Sequence, residues 1–376
     1  VIERQDSGIG IGGQRGLSAA KGQGQAILGA IVYHADLNEA QADDVIAALL
    51  SPGPNSTLFD RLDWFRLLTQ ECLAPVRCHL AVAREGDAIA VLAIKVEKSS
   101  EVSSLANWYS FISRAIFSDP AKAPALLRAL AADLARRHDR VVLSPLPQCD
   151  GELLRTAFCA AGWLTFLKPW DVNHYLTVSG RSFAQYWSDR PGRLRETVRR
   201  KGKKGVVALR VTDRFDAADW TTYETIYRQS WKPEEGSPSF LRKLAQSEAA
   251  LGHLRMGLAT IDGQPVAAQF WTVEGGTAFI HKLAHDEAAK AHSPGTLLSA
   301  AMFEHVIDRD KVREIDFGTG NDPYKRDWME SVRSRYRLEA IRPFSLRRWP
   351  ALARLAIGAA RSRFARQTLV SGEVAG

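Results

Sequence analysis

The stretch His281–Trp328 reads HKLAHDEAAKAHSPGTLLSAAMFEHVIDRDKVREIDFGTGNDPYKRDW. An apolar strand, Thr277–Ala284, runs into it. A short polar loop closes on Ser293-Pro294-Gly295-Thr296, and an apolar helix is expected from there to about Ile307. A second strand (314–317), a Gly-rich turn and an aromatic, basic helix (322–329) follow. A strand that feeds a Gly-containing helix start leaves backbone N–H groups unpaired at the positive end of the helix dipole. The N–H groups of Gly295, Thr296 and Leu297 are therefore a candidate anion site that needs no charged side chain. Gly295 lets a ligand approach the backbone, Thr296 adds a hydroxyl, and Pro294 suits a first helical position, where a missing N–H is no loss.

Around this stretch lies a chain of 376 residues, enough for two to three domains at roughly 150 residues each. Hydrophobic residues make up 45 % and charged residues 24 %, which fits a globular chain with an ample core. The net charge of +8 favours anionic partners. Cys72, Cys78, Cys149 and Cys159 show no CxxC spacing and read as free thiols in a reducing compartment. No apolar run reaches the ~18 residues that a bilayer span needs. The opening residues, with Glu3, Arg4 and Asp6 ahead of a Gly-rich tract, do not read as a signal peptide, so a cytoplasmic location is expected.

Residues 1–25 lack periodicity and are expected to form a disordered tail. Gly8–Gly13 matches GxGxxG by letter, but no strand precedes it and no helix follows, so a dinucleotide site is not inferred. From residue 26 to 180, strands and helices alternate: a strand at Ile31–His34, helices at Leu37–Leu50 and Thr57–Cys72, and a hairpin turning at Glu85-Gly86-Asp87. A strand pair around Ser104–Phe117, two further helices and a strand through Trp163–Val178 complete this half. A helix between Arg190 and Val206 then carries eight Arg and Lys residues against Glu196. From 181 to 343 the order repeats, with a hairpin turning at Asp262-Gly263 and a closing strand at Val332–Ile341. The letters repeat loosely too: Trp108–Phe111 leading to Pro124-Ala125 answers Ala278–His281 leading to Pro294-Gly295. The expected architecture is α/β, of the mixed-sheet α+β kind: two tandem units, each a mixed sheet flanked by helices, with the anion-binding turn kept in the second. Residues 344–376 form a basic tail with apolar residues among the arginines, which suits either an anionic membrane surface or packing on the domain.

From about Arg181 to Pro343 the sequence resembles the GNAT acyltransferase superfamily, and more narrowly its CelD-like branch, which is related to Fem-type peptidyltransferases. The resemblance rests on the basic lead-in Arg193–Lys204, on Asp262–Ala268, on Ser293–Leu298, and on Ile315–Lys325 with Trp328. It implies transfer of an acyl group from acyl-CoA to an amine or hydroxyl, with a sugar or exopolysaccharide precursor as acceptor. The family's donor loop commonly carries two glycines, whereas this chain has Ser293-Pro294-Gly295-Thr296. Both acyl-CoA and aminoacyl-tRNA therefore stay open as donors. RNA would be a partner in the second case, through the basic lead-in helix. A non-catalytic protein of polysaccharide assembly is a third reading, with the basic tail peripheral to the inner membrane.

Acyl transfer needs the donor held, the nucleophile deprotonated, the oxyanion stabilised and the leaving thiolate protonated. The resemblance implies Tyr324 as general acid and Lys325 as a phosphate contact beside the Pro294–Leu297 donor turn. Asp316, at the end of a presumed parallel strand, is a candidate proton acceptor, or else a cap of the Gly-rich turn or a partner of Arg326. His281 is a candidate base or substrate contact on the strand that borders the donor groove. With His285 it forms HxxxH, but residues four apart on a strand lie ~13 Å apart, too far for one metal. No metal is expected. The loop Trp231–Pro238 offers an aromatic, a lysine and two glutamates, so Trp231, Lys232 and Glu235, with Gln269, are assigned to the acceptor pocket. Asp316-Phe317-Gly318-Thr319-Gly320 also resembles the turn of methyltransferases that use S-adenosylmethionine, but too little chain follows for their sheet.

Overall fold

Both expected hairpins form at their glycine turns. Asp262 and Gly263 take φ of 49° and 78°, and Ile261 pairs with Gln264 across them, the two-residue turn that an Asp-Gly pair favours. Gly86, at φ 60°, turns the first hairpin. The computed structural model describes residues 31–343 apart from 54 and 55. The expected N-terminal tail, the Gly8–Gly13 match and the basic tail all lie outside the described residues.

The first half runs β1 (Val32–His34), α1 (Leu37–Gln41), α2 (Asp44–Leu49), α3 (Leu62–Leu68), β2 (Cys78–Glu85), β3 (Ala88–Lys98), β4 (Glu101–Ser104), β5 (Ile116–Phe117), α4 (Ala123–Arg137), β6 (Arg140–Leu146), α5 (Gln148–Ala160) and β7 (Leu164–Thr177). Then come α6 (Phe183–Ser188) and the basic α7 (Gly192–Gly202). The second half runs β8 (Val207–Thr212), α8 (Ala217–Gln229), α9 (Pro238–Ala250), β9 (Leu254–Ile261), β10 (Gln264–Glu274), β11 (Thr277–His285), α10 (Pro294–Glu304), β12 (Glu314–Thr319), α11 (Lys325–Trp328) and β13 (Ser331–Ile341).

The expected α/β architecture, mixed sheet flanked by helices in two successive units, is what the chain adopts, and the strands of the two units join. The strands form one mixed sheet in the order β1-β2-β3-β4-β6-β13-β7-β12-β11-β10-β9-β8, with β5 on β3. β4 and β6 are parallel, as are β11 and β12, and the other pairs are antiparallel. Read outward from its centre, the order is symmetric. Each half lends its last strand to the other: β13 sits on β6 of the first half, and β7 on β12 of the second. The exchange closes because β7 and β13 also pair with each other, from Ser331↔Tyr175 to Ile341↔Leu164. The backbone groups at the seam are thereby satisfied within one ladder.

Three apolar clusters hold helices to this sheet. One packs α4 and α5 on the first half, and one packs α10 on the second. The third is shared by both halves, joining α3, α8 and α9 through Trp64, Tyr109, Trp220, Phe240 and Phe270. Arg61, 1 % exposed, crosses the same junction to Glu248 and to Glu274 at 3.2 Å. Glu248, His253 and Glu274 could by type hold a metal ion, but the Arg61 guanidinium already supplies positive charge among them.

Several expected elements are shorter or broken. Leu37–Leu50 is two helices, because Asp43 starts a new one by accepting the N–H groups of Val45 and Ile46. Thr57–Cys72 is interrupted at Arg61, whose backbone is extended where its side chain turns into the buried ion cluster. The strand pair around Ser104–Phe117 reduces to its two ends. β4 and β5 both lie along β3, while the residues between leave the sheet and cross to the second half. There Phe111 packs 5.3 Å from the His281 ring, and Tyr109 stacks on Phe240 at 4.8 Å.

Candidate active site

β11 and β12 pair in parallel for three positions only, Thr277↔Glu314 to Phe279↔Asp316. Beyond them β11 keeps to β10, ending at Ala267↔His285, while β12 turns towards β7 at Thr319↔Asn173. The strands therefore splay. Between them lies a cleft of about 730 Å³, bordered by Leu283, His285, Gly295, Ser299, Phe317 and Tyr324.

α10 points its N-terminus into this cleft. Ser293, just before it, has left-handed backbone angles, φ 54° and ψ 45°. Such a conformation in a non-glycine residue is a local strain that the surroundings must enforce. The Leu297 N–H donates to the Ser293 carbonyl at 3.1 Å, so the expected three-donor site loses one member to the helix itself. Among the described residues, the N–H groups of Gly295 and Thr296 have no partner. Pro294 occupies the first turn and is buried against the domain. On the outer side α7 packs on α10, with Leu194 bordering the cleft and Lys201 donating to the Ala291 carbonyl. A basic helix thus flanks the two free N–H groups.

Gln269, expected to contact substrate, borders the cleft and is engaged with its wall. It is 1 % exposed and donates to the Gly295 carbonyl at 3.3 Å and to Ser299 Oγ at 2.8 Å, while accepting from Trp271 at 3.0 Å. Its hydrogen bonds hold the first turn of α10 in place.

Tyr324 faces the cleft from the opposite wall, edge-on to Phe317 at 5.6 Å. Removal from water, with Asp322 nearby, raises its hydroxyl pKa, so it stays protonated and able to donate. Lys325 does not join it. Lys325 is 4 % exposed, and its ammonium donates to the carbonyls of Thr319 at 2.6 Å and Gly320 at 3.3 Å. It closes the Gly-rich turn from inside rather than reaching a phosphate.

Asp316 and His281 are also placed away from the cleft. Asp316 is fully buried and accepts from Asn173 at 2.6 Å, from the Gly318 N–H at 2.7 Å and from Arg333 at 2.7 Å. It caps the turn and pairs with Arg333, not with Arg326. His281 lies at a β-bulge, the extra residue between Ile280↔Trp271 and Lys282↔Phe270. Like Phe279 two residues earlier it faces away from α10, onto Thr272 at 2.9 Å and between the rings of Phe111 and Phe270, and the bulge re-phases the residues after it so that His285 comes to the α10 side. Burial pushes its pKa down to about 3, so it is a neutral packing group.

The histidine that borders the cleft is His285, whose role the sequence did not single out. Its Nδ1 would lie 3.2 Å from a Cβ placed on Gly295, its Nε2 is 3.2 Å from Glu287, and its ring is 4.6 Å from Trp231. Burial lowers its pKa, which keeps the imidazole neutral and able to accept a proton. Its position as the last residue of the strand entering the donor turn was the available signal.

Of the loop residues, Trp231 borders the cleft, half exposed. Glu235 does not border it. It pairs with Lys282 at 2.6 Å and accepts from the Tyr109 hydroxyl. Lys232 lies beside it, its ammonium 5.7 Å from the Trp231 ring and 5.9 Å from the Tyr227 ring.

No helix among the described residues is long and apolar enough to cross a membrane. Residues 188–326 match the family model described as an acetyltransferase (GNAT) domain. No curated protein matches the chain. Among solved structures, FemX is similar at 12 % identity with a TM-score of 0.57, covering 83 % of this chain and 97 % of its own. A conserved protein of unknown function from Bacteroides thetaiotaomicron is similar at 13 % identity and a TM-score of 0.51, over 81 % and 97 % of the two chains. At such identities these likenesses speak for the fold alone. With the domain match, the splayed parallel strands and the open helix start between them, residues 188–326 are identified as a GNAT-type domain.

Proposed function

We propose that the second half transfers an acyl group from acyl-CoA to an amine or hydroxyl of a small or saccharide acceptor. The observation that carries this reading is the pair of unpartnered N–H groups, Gly295 and Thr296, at the mouth of the splayed strands. They suit the pyrophosphate of an acyl-CoA, and the cleft between β11 and β12 leaves room for its pantetheine arm. The resemblance to the CelD-like branch supports a saccharide acceptor.

In this reading His285 accepts the proton of the attacking amine or hydroxyl as the new bond to the acyl carbon forms. Tyr324 donates its proton to the departing thiolate. Replacing Tyr324 by phenylalanine is expected to lower kcat about 100-fold, as loss of a general acid does, with the Kd of acetyl-CoA unchanged. An unaltered kcat would remove Tyr324 from the chemistry. For His285, the depressed pKa places the acid limb of kcat/KM below the ~6.5 of an ordinary imidazole. A His285→Gln enzyme should lose that limb, and a limb that survives the substitution assigns the base elsewhere.

Thermal-shift titration with acetyl-CoA tests the donor directly. A ligand at 100 times its Kd stabilises by about 2.7 kcal/mol, so the melting point should climb with concentration. A flat response rejects acyl-CoA. The exposed basic face of α7 beside the cleft favours aminoacyl-tRNA as the second reading. In that case RNA binding should fall steeply with salt and CoA should not compete.

A further inference from the structure

On the face of β11 turned away from α10 lies a cluster that the chemistry above does not use. Its members are Lys282 of β11, Lys232 and Glu235 of the loop after α8, Tyr227 of α8, and Tyr109 from the crossing segment of the first half. Glu235 is ion-paired with Lys282, 2.6 Å from its Oε2, which otherwise accepts no hydrogen bond, and the Tyr109 hydroxyl donates to its other oxygen. Tyr109 in turn accepts the Ser237 N–H at 3.0 Å. The Lys282 ammonium sits over the rings of Tyr109, at 4.9 Å, and Tyr227, at 5.4 Å. Two ammonium groups therefore share one carboxylate, and Lys282 holds it.

Lys232 is the cation left over. Among the described residues its ammonium has no hydrogen-bond acceptor and no ion pair. It has ring faces on two sides, and its pKa is pushed down to about 8, chiefly by removal from water and further by Lys282, an effect that the more distant charges of Glu235 and Asp322 offset only in part. Lysine ammonium groups are seldom taken from water without a counter-charge, because desolvation then goes uncompensated. The loop that carries it is clamped. A Cβ on Gly236 would lie 2.6 Å from the Trp108 ring, so the first half presses directly on the loop backbone. The ammonium is thus held in position ahead of any ligand, which raises the affinity for whatever supplies the missing charge.

We propose that Lys232 binds an anionic group of the acceptor, a carboxylate or a phosphate. The proposal rests on the acyltransferase reading for the word acceptor. The location supports it: α10 and its free N–H groups lie on one face of β11 and the Lys232 cluster on the other, while Trp231, the chain neighbour of Lys232, borders the cleft. Donor and acceptor would thus meet from opposite faces. Trp231, between His285 and Lys232, would pack against the acceptor body. The first half then serves the reaction without a donor site of its own, since its Trp108 and Tyr109 hold the acceptor loop and keep Glu235 on Lys282.

The test reads the Lys232 ammonium itself. Lysines of the full chain are 13C-dimethylated, the Lys232 signal is assigned with Lys232→Arg, and inorganic phosphate and acetate are titrated with saturating CoA present. The expected result is a saturable shift of that signal, with phosphate or acetate affinity at least 10-fold weaker in Lys232→Met and largely retained in Lys232→Arg. The anion that gives the tighter shift names the acceptor group. In activity, glucosamine 6-phosphate should lose its advantage over glucosamine in Lys232→Met, through KM rather than kcat. Anion binding in Lys232→Met equal to the wild type would overturn the proposal. An equal loss of acetyl-CoA affinity would also overturn it, by placing Lys232 on the donor. If CoA fails to bind even the wild type, the acyl-CoA reading falls, while the shift of the Lys232 signal on the free protein still decides this one.

Discussion

Gly295→Trp is expected to abolish acetyl-CoA binding, with at least a 100-fold rise in Kd, in a protein that still folds. Gly295 has an ordinary helical backbone, so a side chain there is not excluded by φ. The constraint is space. A Cβ at this position already stands 3.2 Å from His285 Nδ1, and the indole beyond it can extend only into the cleft. It would cover the free N–H groups of Gly295 and Thr296 and fill the path between the splayed strands. Isothermal calorimetry with acetyl-CoA gives the Kd, and a thermal melt without ligand confirms folding. A folded Gly295→Trp protein that binds acetyl-CoA normally would disprove the donor site. Gly295→Ala should have a smaller effect, because the His285 side chain is partly exposed, at 22 %, and can give way.

Arg61→Leu is expected to destabilise the chain by about 3–5 kcal/mol, the usual result of removing one partner from a buried ion cluster. Arg61 is 1 % exposed and faces Glu248 and Glu274, which are 0 % and 6 % exposed. Burial already raises the pKa of Glu274 despite the arginine, so without Arg61 that carboxyl would take up a proton or the cluster would open. Because Arg61 precedes α3 and its partners sit on α9 and β10, the loss should loosen the junction between the halves. Urea unfolding followed by tryptophan fluorescence reads it, as a lower midpoint or a split transition. A loss under about 1 kcal/mol would show that the pairing only offsets its own desolvation.

Much of the site's backbone was legible in the sequence. Ser293-Pro294-Gly295-Thr296 marked the start of α10, Asp262-Gly263 marked the hairpin, and the strand before the loop ended where expected. These are local signals, set by φ preference and by the missing N–H of proline. The side-chain roles fared differently. Asp316, His281, Lys325, Gln269 and Glu235 each had chemistry suited to the reaction, and each is held by partners within the fold, most of them distant in sequence. Arg333 holds Asp316 from β13, Tyr109 holds Glu235 from the first half, and Ser299 holds Gln269 from α10. Lys325 turned inward because the carbonyls of Thr319 and Gly320 needed a donor. The repeat of Trp108–Phe111 with Ala278–His281 was read as strand on strand. In the structure the first copy is the crossing segment, which meets the second copy at His281.

What the sequence by itself determined was the order of strands and helices, the two hairpin turns, the helix opening at Pro294 and the presence of one basic helix before the second half. Periodicity and turn chemistry act within a few residues, so they survive without a fold. What only the tertiary structure decided was that the two halves share one sheet by exchanging β7 and β13, that a bulge after Ile280 re-phases the strand and brings His285 to the cleft, and which charged groups have partners. Those outcomes depend on strand register and on which distant groups compete for a hydrogen bond. A one-residue shift in register reverses the face that a side chain occupies, and no local pattern records the competitor.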